Sequence, residues 1–310
     1  MNLHISGLKM AMTVLELVED TAVQLTAAGL TLANGFGQGS LTAFDEAAWL
    51  VLWQLGLPLN DLDSVSKLPV AQEKRAQVAT LLRARITTRQ PLAYLTHEAW
   101  LQGVPFYVDE RVIIPRSFIA ELIVDESIDA WLSDQTHKVL DLCTGNGSLA
   151  VLAAMAFPDV AIDAADISAD ALAVARINVA RHHLATRITL IESDALASCT
   201  GPYDLILCNP PYVNAQTMAA LPAEFRAEPA LALDGNISSG TDGMDFIRQL
   251  LLTIPAHMSE NAVLVLEIGN ERDNFKRAFS SLEPLWFETS GGPDQVLLLT
   301  RQQLARQQLQ

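Results

Sequence analysis

Residues 139–150 read Val139-Leu-Asp-Leu-Cys-Thr-Gly-Asn-Gly-Ser-Leu-Ala150. They are the strongest indication of the fold, because they join an apolar run to a glycine turn and an alanine-rich segment. The apolar run predicts a buried strand that ends near Leu142, and the segment after the turn predicts a helix through Ala156. Gly145 and Gly147 allow the backbone to approach a ligand closely and to point amide groups at it. The stretch therefore predicts a strand, a ligand-binding turn and a helix in succession.

Helices and strands alternate along the chain from Ser117 onward. Short apolar runs predict strands near residues 138–142, 160–165, 187–192, 203–208, 262–268 and 295–299. Such alternation is typical of a mostly parallel sheet with helices on both faces. The pattern therefore predicts an α/β fold.

An acidic residue follows the second predicted strand. The apolar segment 160–165 ends in Asp166, which lies 19 residues beyond Gly147. A carboxylate at this position suits the two hydroxyl groups of a ribose. The spacing from Gly145 through Gly147 to Ala150 also fits a dinucleotide fingerprint, so this part of the chain does not separate NAD from S-adenosylmethionine.

The tetrapeptide Asn209-Pro-Pro-Tyr212 follows the apolar run 203–208. Proline cannot donate to a sheet ladder, so the strand stops before Pro210 and leaves Asn209 at its carboxyl end, where open α/β sheets bind ligands. Asn209 Oδ1 and the Pro210 carbonyl can each accept one N–H of a planar NH2 group on which Tyr212 stacks. An ordinary Pro-Pro turn with a surface tyrosine is the alternative. Together with the glycine turn, the tetrapeptide favours a site that grips an NH2 group, for which a hydride-transfer enzyme has no evident use.

Length, composition and cysteine usage set limits on the class of protein. The chain has 310 residues, of which 50% are hydrophobic, so it can bury a large core. No apolar run approaches the roughly 20 residues that span a bilayer, and residues 1–10 lack a signal pattern. The three cysteines have no zinc-binding spacing, so we expect a cytoplasmic protein without a metal site. Cys143 and Cys208 are interpreted as small buried residues.

The net charge of −16 is distributed unevenly along the chain. Residues 1–90 carry seven Lys and Arg against eight Asp and Glu, whereas residues 91–310 carry 13 against 28. Such a field repels a phosphate backbone and attracts basic partners. Direct binding of nucleic acid is therefore not expected, since a nucleic-acid enzyme usually shows a basic footprint.

Three parts of the chain differ in pattern. Residues 1–90 predict a helical domain, residues 91–116 a linking β-hairpin, and residues 117–310 the α/β domain. In the helical domain, apolar spacing predicts one helix that ends before Gly29, a second from Phe44 to Leu55 and a third from Ala71 to Thr88. The third helix carries a basic stripe, interpreted as a solvated face, at Lys74, Arg75, Arg83, Arg85 and Arg89.

Taken together, these residues resemble the S-adenosylmethionine-dependent protein glutamine methyltransferases, and the resemblance covers nearly the whole chain. Its elements are Gly145-Asn-Gly147, Asp166, Asn209-Pro-Pro-Tyr212 and the segments 89–95, 114–116, 221–229 and 240–243. One branch of this family modifies peptide release factors, and another modifies the third protein of the large ribosomal subunit. The features that resemble the ribosomal-protein branch are Leu57-Pro-Leu59, Glu98-Ala-Trp100, the segment 106–112, Pro115-Arg-Ser117 and Cys143-Thr144. Asn146 and Ser148 stand where other small or polar residues are common in the family, and this is a departure from its pattern.

The resemblance implies a class I methyltransferase fold, which is Rossmann-like with a mostly parallel seven-stranded sheet. It also implies an N-terminal helical domain that recognises the substrate, and S-adenosylmethionine as cofactor. The implied cofactor-binding residues are Cys143, Thr144, Gly145, Asn146, Gly147, Asp166, Asp194, Ala195 and Asn209. The implied substrate-binding residues are Asn209, Pro210, Pro211 and Tyr212, of which Asn209, Pro210 and Tyr212 are catalytic.

Several residues near these positions have roles that the sequence leaves open. Asp141 is interpreted as a support for the glycine turn. Asp194 is either the acceptor of an adenine amino group or the N-cap of a helix. Phe106, Pro115 and Arg116 form either a lid or a structural hairpin. Glu228, Pro229 and Asp242 either support the NPPY turn or bind the substrate.

The expected reaction is methylation of the side-chain amide nitrogen of a glutamine in a basic ribosomal protein. Methylation of a release factor is the first alternative. Methylation of an adenine amino group in nucleic acid is a second, because the same tetrapeptide can hold that group while Tyr212 stacks on a flipped base. A non-catalytic binding module or an NAD-dependent enzyme is a third.

Overall fold

The computed structural model describes residues 12–307, so the predicted absence of a signal peptide at residues 1–10 lies outside the described residues. The chain divides into two compact units. The first unit extends to Thr96 and includes Pro222–Ala227, and the second comprises His97–Leu221 and the chain from Glu228 onward. Among residues 12–307, no helix combines the length and the apolar character that crossing a bilayer requires.

The first unit is helical. Its helices before the hairpin are α1 (Val14–Ala27), α2 (Ala43–Leu55), α3 (Leu62–Val65), α4 (Gln72–Thr88) and α5 (Leu92–Thr96). Capping boxes start α1 and α2, with Thr13 and Thr42 as the N-cap residues. Gly56 ends α2 in the left-handed region, at φ +69°. The three predicted helices are confirmed, and the short helix α3 is an addition.

The interpretation of the α4 basic stripe as a solvated face is wrong at Arg85, which is 0% exposed. Its Nε donates to Glu46 Oε1 at 2.7 Å, its Nη1 to Glu224 Oε1 at 3.1 Å, and its Nη2 to the Gly35 carbonyl at 2.7 Å. Arg89 Nε also donates to Glu224 Oε1, at 2.6 Å. The pattern of α4 alone does not indicate this burial, because the acidic partners lie 39 and 139 residues away.

The predicted hairpin is shorter than the pattern suggested. Residues 92–96 form helix α5, whose first turn is closed by hydrogen bonds from Tyr94 N and Leu95 N to the Pro91 carbonyl. Proline suits the start of a helix because it lacks an N–H to satisfy. The hairpin is confined to β1 (Ala99–Leu101) and β2 (Val104–Phe106), which pair antiparallel around Gly103 at φ +75°.

The second unit is built on one seven-stranded sheet. Its strands are β3 (Lys138–Leu142), β4 (Ala161–Asp166), β5 (Ile188–Glu192), β6 (Tyr203–Cys208), β7 (Met258–Glu267), β8 (Leu285–Thr289) and β9 (Gly292–Thr300). The order is β5-β4-β3-β6-β7-β9-β8. The strands β3 to β7 are parallel, and β9 runs antiparallel to both of its neighbours. The predicted α/β fold with a mostly parallel sheet is confirmed.

Helices cover both faces of this sheet, and each face has its own apolar core. The helices of the α/β unit are α6 (Ile119–Val124), α7 (Ser148–Ala156), α8 (Ala169–Arg181), α9 (Ala215–Ala220), α11 (Asp245–Thr253), α12 (Arg272–Ala278) and α13 (Arg301–Gln307), whereas α10 (Ala223–Arg226) lies in the first unit. Short 3-10 helices occur at Asp129–Trp131, Ala230–Ala232 and Ile254–His257.

Strand order places a crevice at the middle of the sheet. Strand β3 has β4 on one side and β6 on the other, so the chain reverses its direction of winding at β3. In open α/β sheets, ligands bind outside the carboxyl ends of the strands at such a point. The glycine turn follows β3, Asp166 ends β4, and the NPPY turn follows β6, so the topology brings all three to this crevice.

Candidate active site

A cavity of about 280 Å³ lies at the carboxyl ends of β3, β4 and β6. From the set of residues predicted by sequence, its walls include Cys143, Gly145, Asp166, Asp194, Ala195, Asn209 and Pro211. The other predicted residues, Thr144, Asn146, Gly147, Pro210 and Tyr212, lie outside this lining. The predicted set therefore divides into residues that line the cavity and residues that do not.

Asp141 holds the glycine turn from behind. Its Oδ2 accepts hydrogen bonds from the Thr144 hydroxyl and, at 2.9 Å, from Ala150 N. Thr144 N in turn donates to the Ala165 carbonyl of β4 at 3.0 Å. Burial raises the pKa of the Asp141 carboxyl to about 7. The interpretation of Asp141 as a support for the turn is confirmed.

The two glycines of the turn serve different purposes. Gly145 has φ +55°, and a Cβ placed on it would meet no atom within 4 Å, so its backbone borders open space. Gly147 has φ +80°, and a Cβ there would lie 3.2 Å from Ala175 Cβ of α8. Gly145 therefore permits a close approach to the cavity, whereas Gly147 permits close packing of the turn on α8.

Asn146 and Cys143 differ from each other in exposure. Asn146 is 3% exposed, its Oδ1 accepts Ser148 N at 3.1 Å, and its carbonyl accepts Asn178 Nδ2 at 2.8 Å. It ties the turn to α8. Cys143 has φ +61°, is only partly buried and lines the cavity, so its interpretation as a buried residue is wrong. Cys208, which pairs in register with Leu142, is buried as expected.

Asp166 connects β4 to the glycine turn. Its Oδ2 accepts Gly145 N at 2.9 Å, and its Oδ1 accepts Ser168 N at 2.9 Å. Burial raises the pKa of this carboxyl, although both backbone hydrogen bonds act to lower it. Each carboxylate oxygen can accept a second hydrogen bond, so two neighbouring hydroxyl groups of a ligand can bind here.

Asp194 is not the N-cap of a helix. Residues 195–198 form a turn in which Ala197 N donates to the Asp194 carbonyl at 3.0 Å, and Ala195 has φ +46°. The Ser193 hydroxyl holds this turn by donating to the Ala195 carbonyl at 2.8 Å. The N-cap interpretation of Asp194 is therefore wrong, and its contact with an adenine amino group stays a prediction; the residue is exposed and lines the cavity.

Asn209 directly follows the last residue of β6 and lines the cavity together with Pro211. Within residues 12–307, no hydrogen bond of the structure engages the Asn209 side-chain amide. Pro210 is buried and lies outside the lining. A half-buried amide at the carboxyl end of a central strand is therefore available to a ligand.

Tyr212 is half-buried and is not among the residues that line the cavity. A Cβ on Gly269 would lie 2.6 Å from Tyr212 Cε2, so the ring packs directly on the Gly269 backbone. The Tyr212 hydroxyl is 3.5 Å from Glu267 Oε1. Burial raises the pKa of this phenol above its ordinary value.

Glu228 supports the wall of the cavity. It is 4% exposed, and its Oε1 accepts Ile114 N at 2.9 Å and Arg116 Nη1 at 2.6 Å. Arg116 Nη2 donates to the other oxygen at 2.8 Å. Glu228 therefore holds the segment 114–116 in place, and Pro229, which follows it, lines the cavity. Asp242 pairs with Arg248 and accepts Met244 N. Whether either acidic residue also binds the substrate stays open as in the sequence-based prediction.

Of the two interpretations of Phe106, Pro115 and Arg116, the structural one fits better than a lid, because none of the three lines the cavity. Phe106 is 0% exposed in the core, and Pro115 is buried. The residues of this region that reach the cavity are Arg111, Val112 and Ile113, which sequence reasoning missed, as it missed Phe246. The only sequence signal was the apolar run Val112-Ile-Ile114 before Pro115, which had been assigned to the predicted hairpin.

The strand order and the crevice define a class I methyltransferase, and residues 124–237 match the family model described as the methyltransferase small domain. Over 295 residues, the chain is 49% identical to the ribosomal protein uL3 glutamine methyltransferase of Bordetella pertussis, covering 94% of this chain and 96% of that protein. The protein of the same name from Burkholderia pseudomallei is 45% identical over 302 residues, covering 94% and 95%. The chain belongs to the ribosomal protein uL3 glutamine methyltransferase family.

A solved structure of similar fold is the catalytic domain of human METTL16 in complex with the MAT2A 3′UTR hairpin 6. It superposes with a TM-score of 0.49 at 13% sequence identity and covers 74% of this chain and 81% of that chain. At this level of similarity it carries no functional argument. The relatives from Bordetella pertussis and Burkholderia pseudomallei confirm the predicted family and its ribosomal-protein branch.

Proposed function

We propose that the protein transfers a methyl group from S-adenosylmethionine to the side-chain amide nitrogen of a glutamine in ribosomal protein uL3. One observation of the structure carries this proposal. The Asn209 amide lies on the wall of a cavity at the carboxyl end of β6, and no other described residue engages it in a hydrogen bond. The relatives that match along the whole chain bear the name of this activity.

The residues of the cavity fit S-adenosylmethionine, which supplies an electrophilic methyl group when bound. Asp166 offers both carboxylate oxygens, held in place by two backbone N–H groups, to the ribose hydroxyls. The exposed Asp194 carboxylate is positioned to accept from the adenine amino group. The left-handed backbone at Gly145 leaves open space for the methionine part.

The protein's part in the reaction is to orient the acceptor. An amide nitrogen is a poor nucleophile because its lone pair is delocalised into the carbonyl. We assign Asn209 Oδ1 and the Pro210 carbonyl the role of accepting the two N–H bonds, which turns the nitrogen toward the methyl group and stabilises developing positive charge. Tyr212 holds the plane of the amide by stacking. The methylated nitrogen then loses its proton to water.

Replacing Asp166 with alanine is expected to weaken cofactor binding by about 1.5–3 kcal/mol, because a hydrogen bond to a charged group is lost. Titration calorimetry with S-adenosylmethionine measures this affinity. Asp170→Ala is the matched control, since Asp170 is exposed in the first turn of α8 and lies outside the cavity lining. Equal affinities of both variants and the wild type would remove Asp166 from the ribose site.

The choice of uL3 over a release factor rests on the relatives and on charge. Residues 91–310 carry 13 Lys and Arg against 28 Asp and Glu, and opposite charge steers a basic protein toward this surface. The near-neutral helical unit then contributes shape recognition. Because ribosomal proteins are made and assembled in the cytoplasm, the enzyme is proposed to act there.

Free uL3 is expected to accept the methyl group in preference to a release factor, and the rate is expected to fall as salt screens the attraction. Purified enzyme, labelled S-adenosylmethionine and each protein are incubated at low and at moderate salt. Faster labelling of the release factor would overturn the branch assignment but leave the glutamine chemistry intact. Rates that do not change with salt would overturn only the steering argument. Labelling of RNA or DNA instead of protein would favour the adenine alternative.

A further inference from the structure

Strand β7 ends in a buried carboxylate for which the mechanism above gives no role. Glu267 follows the apolar run 263–266 and is 2% exposed. Burial raises the pKa of its carboxyl to about 7, and the favourable hydrogen bonds and the charge of Arg116 offset only part of this effect. A glutamine or an apolar side chain would cost less to bury at this position, so a carboxyl group here indicates a use beyond packing.

Two groups from the start of α6 hold one oxygen of Glu267. The Ser117 hydroxyl donates to Oε2 at 2.6 Å, and Phe118 N donates to the same oxygen at 2.9 Å. Ser117 is itself buried, and its Oγ accepts Ile119 N at 3.2 Å. These contacts fix the carboxyl group and leave its other oxygen directed elsewhere.

The second oxygen of Glu267 faces the tyrosine of the NPPY turn. Oε1 lies 3.5 Å from the Tyr212 hydroxyl, while the edge of the same ring packs on the Gly269 backbone. The ring is therefore held along its edge by Gly269 and at its tip by Glu267. A hydroxyl fixed at its tip limits rotation of the ring, and a stacking residue acts only while its plane is correctly oriented.

We propose that Glu267 is a positioning residue for methyl transfer: anchored by Ser117 and Phe118, its carboxyl group sets the orientation of Tyr212 and thereby of the acceptor amide. The proposal rests on the proposed function, because it assigns Tyr212 to the acceptor. Glu267 touches neither cofactor nor acceptor and acts only through the tyrosine.

Glu267→Gln tests this with little change in volume, because the amide keeps an acceptor for Ser117 but removes the carboxylate oxygen to which the Tyr212 hydroxyl donates. We expect kcat to fall about tenfold, the rate equivalent of one net hydrogen bond, with unchanged affinity for S-adenosylmethionine. In a Tyr212→Phe background the same substitution is expected to have no further effect, which a double-mutant cycle measures.

Asp204→Asn is the matched control. Asp204 accepts the Ser259 hydroxyl at 2.7 Å, His137 N at 2.8 Å and Lys138 N at 3.0 Å, a similar set of donors at the opposite end of the sheet. This substitution is expected to lower thermal stability without changing kcat.

The positioning role is contradicted if Glu267→Gln leaves kcat unchanged, or lowers it equally with and without the Tyr212 hydroxyl. A wild-type enzyme that does not methylate uL3 would overturn the proposed function instead. In that case a crystal structure of the Glu267→Gln variant decides the inference: a rotated Tyr212 ring supports it, and an unmoved ring overturns it.

Discussion

Replacing Asn209 with alanine is expected to lower the rate of methyl transfer by about a hundred- to a thousandfold while leaving cofactor affinity close to that of the wild type. The reason is the position of the side chain, which lies on the cavity wall at the carboxyl end of β6 and makes no hydrogen bond with any other described residue. Its loss removes an oriented acceptor at the reacting nitrogen, where the charge develops. Steady-state kinetics together with calorimetry separate the two effects.

Two further variants serve as comparisons for Asn209→Ala. Asn209→Asp keeps the shape and an acceptor oxygen, so we expect it to retain more activity than the alanine variant. Asn60→Ala removes an exposed asparagine of the helical unit and is expected to leave the rate unchanged. If Asn209→Ala turned over at a near-normal rate, the assignment of this residue to the acceptor amide would be wrong.

Replacing Arg85 with alanine is expected to lower the free energy of unfolding of the helical unit by about 3–5 kcal/mol. The substitution leaves Glu46 and Glu224 buried without the guanidinium that joins them. Burial already raises the pKa of Glu46. At Glu224 burial acts in the same direction, but hydrogen bonds from Arg89 and Arg85 outweigh it and lower the pKa. Removing Arg85 therefore removes the main compensation for burial at Glu46 and part of the compensation at Glu224, where Arg89 remains.

Native-state hydrogen exchange of the α2 and α4 amides reports on the stability of this unit alone. Arg83→Ala is the matched control, because Arg83 is exposed on the same helix and its loss is expected to change stability by less than about 0.5 kcal/mol. Equal exchange rates in the two variants would show that the buried ion pairs contribute no more than a surface arginine.

Local patterns were sufficient to predict the central strands and their ligand-binding ends. The apolar runs before Asp166 and Asn209 predicted β4 and β6, and Pro210 marked where β6 stops. The edge strand β8 was missed because its apolar run, Leu285-Trp-Phe287, is only three residues long, and Phe287 is its only buried residue. An edge strand with one buried side chain leaves too weak a periodic signal.

The sequence did not predict which side chains of the glycine turn face the cavity. Thr144 and Asn146 do not line the cavity, because residues 143, 145 and 147 adopt positive φ angles, which turn successive side chains in ways that spacing does not indicate. Glu267, by contrast, carried a readable signal. It is an acidic residue at the end of an apolar strand, the same feature that singled out Asp166.

The most direct test of the account is to locate the methyl group on the product. Purified uL3 is incubated with the enzyme and S-adenosylmethionine, digested, and its peptides are fragmented by tandem mass spectrometry, with the Asn209→Ala variant run in parallel. We expect a mass increase of one methyl group on the side chain of a glutamine with the wild-type enzyme, and almost no such increase with Asn209→Ala. A methyl group on a lysine, an arginine or the amino terminus of uL3, or its transfer to glutamine at the same rate by Asn209→Ala, would contradict it.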